Sequence, residues 1–130
     1  MGKRWLSLST IFSAAIFLGL FAAGGALAAS KAGSAATDGL TLLKSKGCLG
    51  CHTTTGQPLV GPSYKGIYGK KVTVMVKGKP QVKTVDEKYL RFMITSPDVW
   101  VVKGYKPIMP KTPLTKKEVA DIIAYLKTLK

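Results

Sequence analysis

His52 is the only histidine in the chain, and it directly follows the second of only two cysteines, in Cys48-Leu49-Gly50-Cys51-His52. A chain of 130 residues that gathers all its thiols and its imidazole into five consecutive positions has few ways to use them. A structural zinc site wants four Cys or His ligands, and only three such residues exist here. A disulfide is open to an exported protein. A redox dithiol would want a thioredoxin-like βαβ pattern, which is absent. The reading that lacks no required part is C-x-x-C-H as an attachment site for c-type haem.

The spacing has a physical reason. Cys48 and Cys51 are about one helical turn apart, so both sulfurs can face the same way. Each can form a thioether to one haem vinyl group, and His52 then offers an imidazole nitrogen to the iron. A second histidine ligand is excluded because none exists. Met1 lies in the N-terminal segment, which leaves Met75, Met93 and Met109. Met75 sits in the alternating run Val72-Thr73-Val74-Met75-Val76 and is expected on a strand, facing away from the valines. Met93 shares a helical pattern with Leu90 and Ile94 and is expected in the core. Met109 lies between the turn residues Pro107 and Pro113, in a loop able to cross an open haem face. Met109 is therefore the expected second iron ligand, with gap-filling as the competing role open to any methionine.

The first thirty residues differ from the rest. Lys3 and Arg4 precede a stretch, Trp5 to Ala29, without a single charge, which ends in small residues including Ala26 and Ala28. Residues 1–28 thus have the layout of a secretory signal peptide. Their alternative is an N-terminal membrane anchor, since 5–29 is long enough to span a bilayer. Both readings place the remainder outside the cytoplasm, periplasmic or held at the outer face of the membrane. Residues 29–36 are small and polar and are expected to form a flexible lead-in. Residues 37–130 make one domain of ordinary size. The formal charge is +14, and removing Lys3 and Arg4 leaves +12. In that compartment nucleic acid is not an expected partner. Redox proteins with acidic docking surfaces fit better.

Local signals outline the domain. Thr37 or Asp38 is expected to cap a helix through Leu40, Leu42 and Leu43 that stops at Gly47. Residues 56–69 are rich in Gly and Pro and read as a loop. Val72–Val76 and Gln81–Val85 flank Lys77-Gly78-Lys79-Pro80, a β-hairpin signal. Thr84-Val85-Asp86-Glu87 has the form of a capping box, for a helix expected to end before Pro97. Thr115-Lys116-Lys117-Glu118 is a second such box. It opens a helix whose apolar face is Val119, Ile122, Ile123, Leu126 and Leu129.

In this order the segments resemble the class I monohaem cytochromes c of bacteria, including the cytochrome c domains fused to subunit II of some haem–copper oxidases. The likeness runs from Asp38 to Lys130. It rests on Cys48–His52, on Gly61-Pro62-Ser63-Tyr64-Lys65-Gly66-Ile67-Tyr68-Gly69, on Gly104-Tyr105 with Ile108-Met109-Pro110, and on the final helix. The resemblance implies an all-α fold of three to four helices around one covalent haem c and its iron, here with a small β-hairpin insertion. It implies that the Pro62 carbonyl accepts a hydrogen bond from the iron-ligating His52. Leu43 stands where the family often has an aromatic residue, which predicts a weaker contact between first and last helices. Lys70 and Lys71 replace a common arginine near a haem propionate. Tyr68 and Trp100 are candidate propionate partners, with core filling as their alternative role.

An iron with both axial positions filled suits electron transfer rather than substrate chemistry. No nucleophile–base pair is possible once His52 is used, so an enzyme is not expected. The expected function is single-electron carriage between exported or membrane-bound redox partners. A fixed subunit of a membrane respiratory complex and a five-coordinate gas-binding protein are the alternatives.

Overall fold

The computed structural model describes residues 26–130. The reading of 1–28 as an export signal or anchor lies outside the described residues but for its last three positions. Among the described residues, no helix is long and apolar enough to cross a membrane.

The domain consists of three α-helices, α1 (Ala26–Ser45), α2 (Glu87–Thr95) and α3 (Lys116–Thr128), and a small sheet of β1 (Lys71–Val76), β2 (Lys79–Thr84) and β3 (Trp100–Val102). The all-α expectation is therefore corrected: the order β2-β1-β3 makes a three-stranded antiparallel sheet. The β-branched run Lys71–Val76 pairs on both sides. β3 has only three residues, too short to carry a periodic signal. The hairpin closes through Lys77 and Gly78, both at positive φ (50° and 76°), as a two-residue turn of the right twist requires. β2 begins at Lys79, two positions earlier than expected. It admits Pro80 because it is an edge strand.

Helix boundaries follow their caps. α1 starts at Ala26, well upstream of the expected Thr37 or Asp38, and runs as helix through residues 29–36, which corrects the expectation of a flexible lead-in there. Thr37 and Thr41 do not cap; their hydroxyls donate to carbonyls four residues back, Gly33 O at 3.1 Å and Thr37 O at 3.2 Å. Gly47, left-handed at φ 75°, follows the helix as expected. For α2 the capping residue is Asp86, not Thr84: its carboxylate accepts from Tyr89 N–H at 2.7 Å, while Thr84 stays in β2. The helix ends at Thr95, before Pro97. α3 opens with the full capping box, Thr115 N–H to Glu118 Oε2 at 2.7 Å and Glu118 N–H to Thr115 Oγ1 at 3.2 Å.

Leu43, Val74, Val85, Tyr89, Leu90, Val119, Ile122, Ile123 and Leu126 form the core. α1 and α3 make the most extensive helix contact. A side chain at Gly39 would overlap the Asp121 carbonyl and come within 2.7 Å of Tyr125 Cβ, so the two backbones meet there. Leu43, at the position where an aromatic residue is expected to strengthen this contact, is among the most completely buried side chains. The smaller residue is fully enclosed because Gly39 draws the helices together. Lys46–Glu118 at 3.1 Å ties α1 to α3, and Lys127–Glu87 at 2.5 Å ties α3 to α2.

Candidate haem site

The site begins where α1 stops. Gly47 turns the chain into a single 3-10 turn, Cys48–Gly50. His52 N–H then donates to Cys48 O at 3.1 Å, closing the C-x-x-C-H segment into one compact loop. Cys48 is half-buried, Cys51 is exposed, and neither is in a disulfide. Burial pushes the Cys48 thiol pKa up, partly offset by a hydrogen bond to its own backbone.

The loop after His52 fixes its ring. Gly61 N–H donates to Cys51 O at 2.9 Å and Tyr64 N–H to Thr53 O at 2.7 Å, folding residues 61–64 back against the attachment loop. Ser63 links the same strands of chain, its hydroxyl donating to Thr53 O and accepting from Gly56 N–H. His52 is thereby buried, with Nδ1 2.8 Å from the Pro62 carbonyl. A carbonyl only accepts, so Nδ1 carries the proton and, in the neutral ring, Nε2 keeps its lone pair. Burial holds the imidazole pKa below its ordinary value, against the opposing pull of the Pro62 carbonyl. The Tyr64 ring stacks on the imidazole, 4.5 Å between centroids and 13° from parallel. Glycine is required at 61, because a Cβ there would overlap the ring's Cε1 and sit 2.8 Å from Nδ1.

Beside this ring lie two cavities that share Cys48, His52, Pro62, Val102, Met109 and Thr112 in their walls. The outer one also takes in Cys51, Trp100 and Tyr105. The inner one reaches the core at Leu43, Leu90, Ile122 and Leu126. The sequence-derived candidates Cys48, Cys51, His52, Pro62, Trp100 and Met109 thus come together around one slot. Tyr68 does not join them: it borders neither cavity, and its ring lies 5.3 Å from Lys127 Nζ. Trp100 lies on β3 against Phe92, with ring centroids 4.2 Å apart, and Lys83 Nζ is 4.9 Å above it. Met93 packs on the core as expected and also borders the inner cavity. Met75 borders neither. The donor set fits a haem: two thiols at attachment spacing, a neutral imidazole with one free nitrogen, and a thioether, within mainly apolar walls.

The cytochrome c family model matches residues 36–130. The chain belongs to the cytochrome c family. No match is found among the curated proteins. As a class I monohaem cytochrome c, the protein binds one haem c and its iron covalently, and Cys48 and Cys51 have the spacing of the attachment pair. The family's work is haem-based electron transfer.

Sequence reasoning missed Tyr64, Gly61, Thr112 and Tyr105 as site residues. Gly61-Pro62 carried a loop signal but nothing to say that a ring would press on the glycine. For Tyr64 no local pattern exists, since its contact is made across a folded-back loop.

Proposed function

We propose that this cytochrome carries one electron at a time between exported or membrane-bound redox proteins, with His52 and Met109 as the axial ligands of its iron. The observation that carries this reading is that both side chains border the same two cavities, with His52 already oriented. The bound haem supplies the one-electron chemistry. The chain's own residues hold and enclose it. Cys48 and Cys51 anchor it through thioethers. His52 presents Nε2 because Pro62 occupies Nδ1, and Tyr64 restrains the ring's tilt. The apolar walls lower the local dielectric and favour the less charged, reduced state. Methionine ligation acts in the same direction.

With both axial positions filled, no substrate or gas molecule has an open coordination site, so the protein is a carrier and not an enzyme. Exposed Leu59, Val60 and Ile108 give the site an apolar surround, and Lys106 borders the cavity itself, with Lys103 and Lys111 exposed on the same loop. Such a rim suits brief docking on an acidic partner surface, where charge speeds encounter without prolonging the complex. The layout of residues 1–28, that of an export signal or an N-terminal anchor, supports an exchange outside the cytoplasm.

The test is exposure of the reduced, haem-loaded protein to carbon monoxide. An unchanged absorption spectrum is expected. A spectrum converted to that of a carbon monoxide complex would mean an open iron and a gas-binding role.

A further inference from the structure

Strand register places Trp100 on the inner face of the sheet. Trp100 pairs with Val76, Val102 pairs with buried Val74, and Trp100, Val76 and Val102 all pack on the core. Lys83 pairs with Val72 and so shares this face. Trp100 is also part of the wall of the outer haem cavity, while Tyr89, with its ring centroid 6.3 Å away, borders the inner one.

The same indole reaches toward the surface. Trp100 is only half-buried, and its nearest aromatic neighbour is Phe92 on α2, 4.2 Å between centroids. Phe92 is half-buried too. Lys88 and Thr95, four residues before it and three after, flank it on the helix and are exposed, as is Val99 next to Trp100. Two rings in contact thus run from the haem cavity to the surface of α2 and β3. The docking rim is built from other parts of the chain, Leu59, Val60 and the loop that carries Lys103, Lys106, Ile108 and Lys111.

We infer that Trp100, with Phe92, bridges a second electron route that joins the haem to the surface of α2 and β3. Tunnelling weakens steeply with the width of the gap, and rings in van der Waals contact replace empty space or water with a continuous π path. Filling the core alone would not need a ring that meets the cavity at one side and a half-exposed ring at another. Lys83 Nζ lies 4.9 Å from the centroid of the indole. A cation over the ring opposes the loss of an electron from it, so Trp100 transmits the electron without being oxidised. One electron leaves the haem-loaded protein, one electron reduces an acceptor at the surface, and no proton moves. The inference rests on the electron-carrier reading and extends it: a carrier held at its rim by one partner keeps a way to pass the electron on.

The test uses the full-length, haem-loaded protein with a ruthenium polypyridyl complex on one introduced cysteine, both native sulfurs being taken up by the haem. The label is placed at Lys88→Cys on α2 in one protein and at Lys111→Cys on the rim in another. After a light flash the excited complex gives one electron to the oxidised protein and becomes Ru(III), and haem absorbance reports the rate. Trp100→Leu should slow transfer from position 88 severalfold and leave transfer from position 111 unchanged. Trp100→Phe, which keeps a ring, should fall between the two. The reduction potential of each variant is measured, so that rates are compared at equal driving force. Independently of any transfer, the indole protons of Trp100 should show a haem ring-current shift in the NMR spectrum of the reduced protein. A rate from position 88 that is the same in wild type and Trp100→Leu would overturn the inference, and so would unshifted indole protons. Equal slowing from both positions would overturn it as well and assign Trp100 to the structure of the haem site. No transfer from either position would overturn the electron-carrier reading, and this inference with it.

Discussion

The His52 imidazole and the Pro62 carbonyl are joined at 2.8 Å, and Gly61, the residue between the attachment loop and that carbonyl, lies flat against the ring. The bond and the close approach depend on each other. A Cβ at position 61 would overlap the imidazole, and neither side can yield, since Gly61 N–H is also tied to Cys51 O. Gly61→Ala is therefore expected to displace the ring and to cost about 1–3 kcal/mol in stability, as overpacking does. Chemical denaturation of the haem-loaded protein measures it; a midpoint equal to wild type would show that the ring has room to move.

Tyr64 covers one face of the same imidazole. Its ring matters more than its hydroxyl, for which no hydrogen bond is found among the described residues. Tyr64→Phe should keep both stability and reduction potential close to wild type. Tyr64→Ala should open a cavity against His52, cost about 3 kcal/mol or more and shift the potential. Parallel losses in both variants would assign the role to the hydroxyl.

The helix pair α1–α3 depends on Gly39 in a comparable way. A methyl group there meets backbone, the Asp121 carbonyl, as well as Tyr125 Cβ at 2.7 Å. Backbone cannot rotate aside. Gly39→Ala should separate the helices and destabilise the fold by about 1–3 kcal/mol, despite alanine's better helix propensity. Thermal unfolding decides the sign, and a stabilised variant would contradict the close-approach reading.

Much of this was legible in the sequence because it rests on local chemistry. The Thr115–Glu118 capping box, the glycine stop at Gly47 and the C-x-x-C-H loop each follow from residues a few positions apart. The α2 cap misled because Thr84-x-x-Glu87 has the form of a box while Asp86 supplies the bond; β2 holds Thr84 in the strand. The third strand was not legible, since Trp100–Val102 pairs with β1 only across a long connection. The same holds for the site. Its attachment residues and the loop methionine stand out by type and spacing, whereas Tyr64, Thr112 and the bordering position of Met93 depend on tertiary packing.

The capping box also carries a pH dependence. The Glu118 carboxyl is held down to about 2 from 4.5, chiefly by the Thr115 N–H and then by Lys46. A depressed folded-state pKa contributes stability above the unfolded value, and the contribution is lost as pH falls. Here it is complete above 4.5 and disappears as pH drops toward 2. Glu118→Gln keeps an acceptor oxygen but no charge. Its stability deficit relative to wild type should be largest near neutral pH and close to nothing near the lower bound. A deficit independent of pH would mean that the bond geometry, not the charge, is what counts.

The central claim, a His52/Met109 iron, is tested most directly by the weak absorption band at the red end of the visible spectrum that marks a sulfur–iron bond in the oxidised protein. Met93 is the competitor, because it borders the inner cavity, and Met75 is the control, because it borders neither. The band should be present in wild type, survive in Met75→Ala and Met93→Ala, and vanish in Met109→Ala. A band that survives Met109→Ala but is lost in Met93→Ala would contradict the assignment.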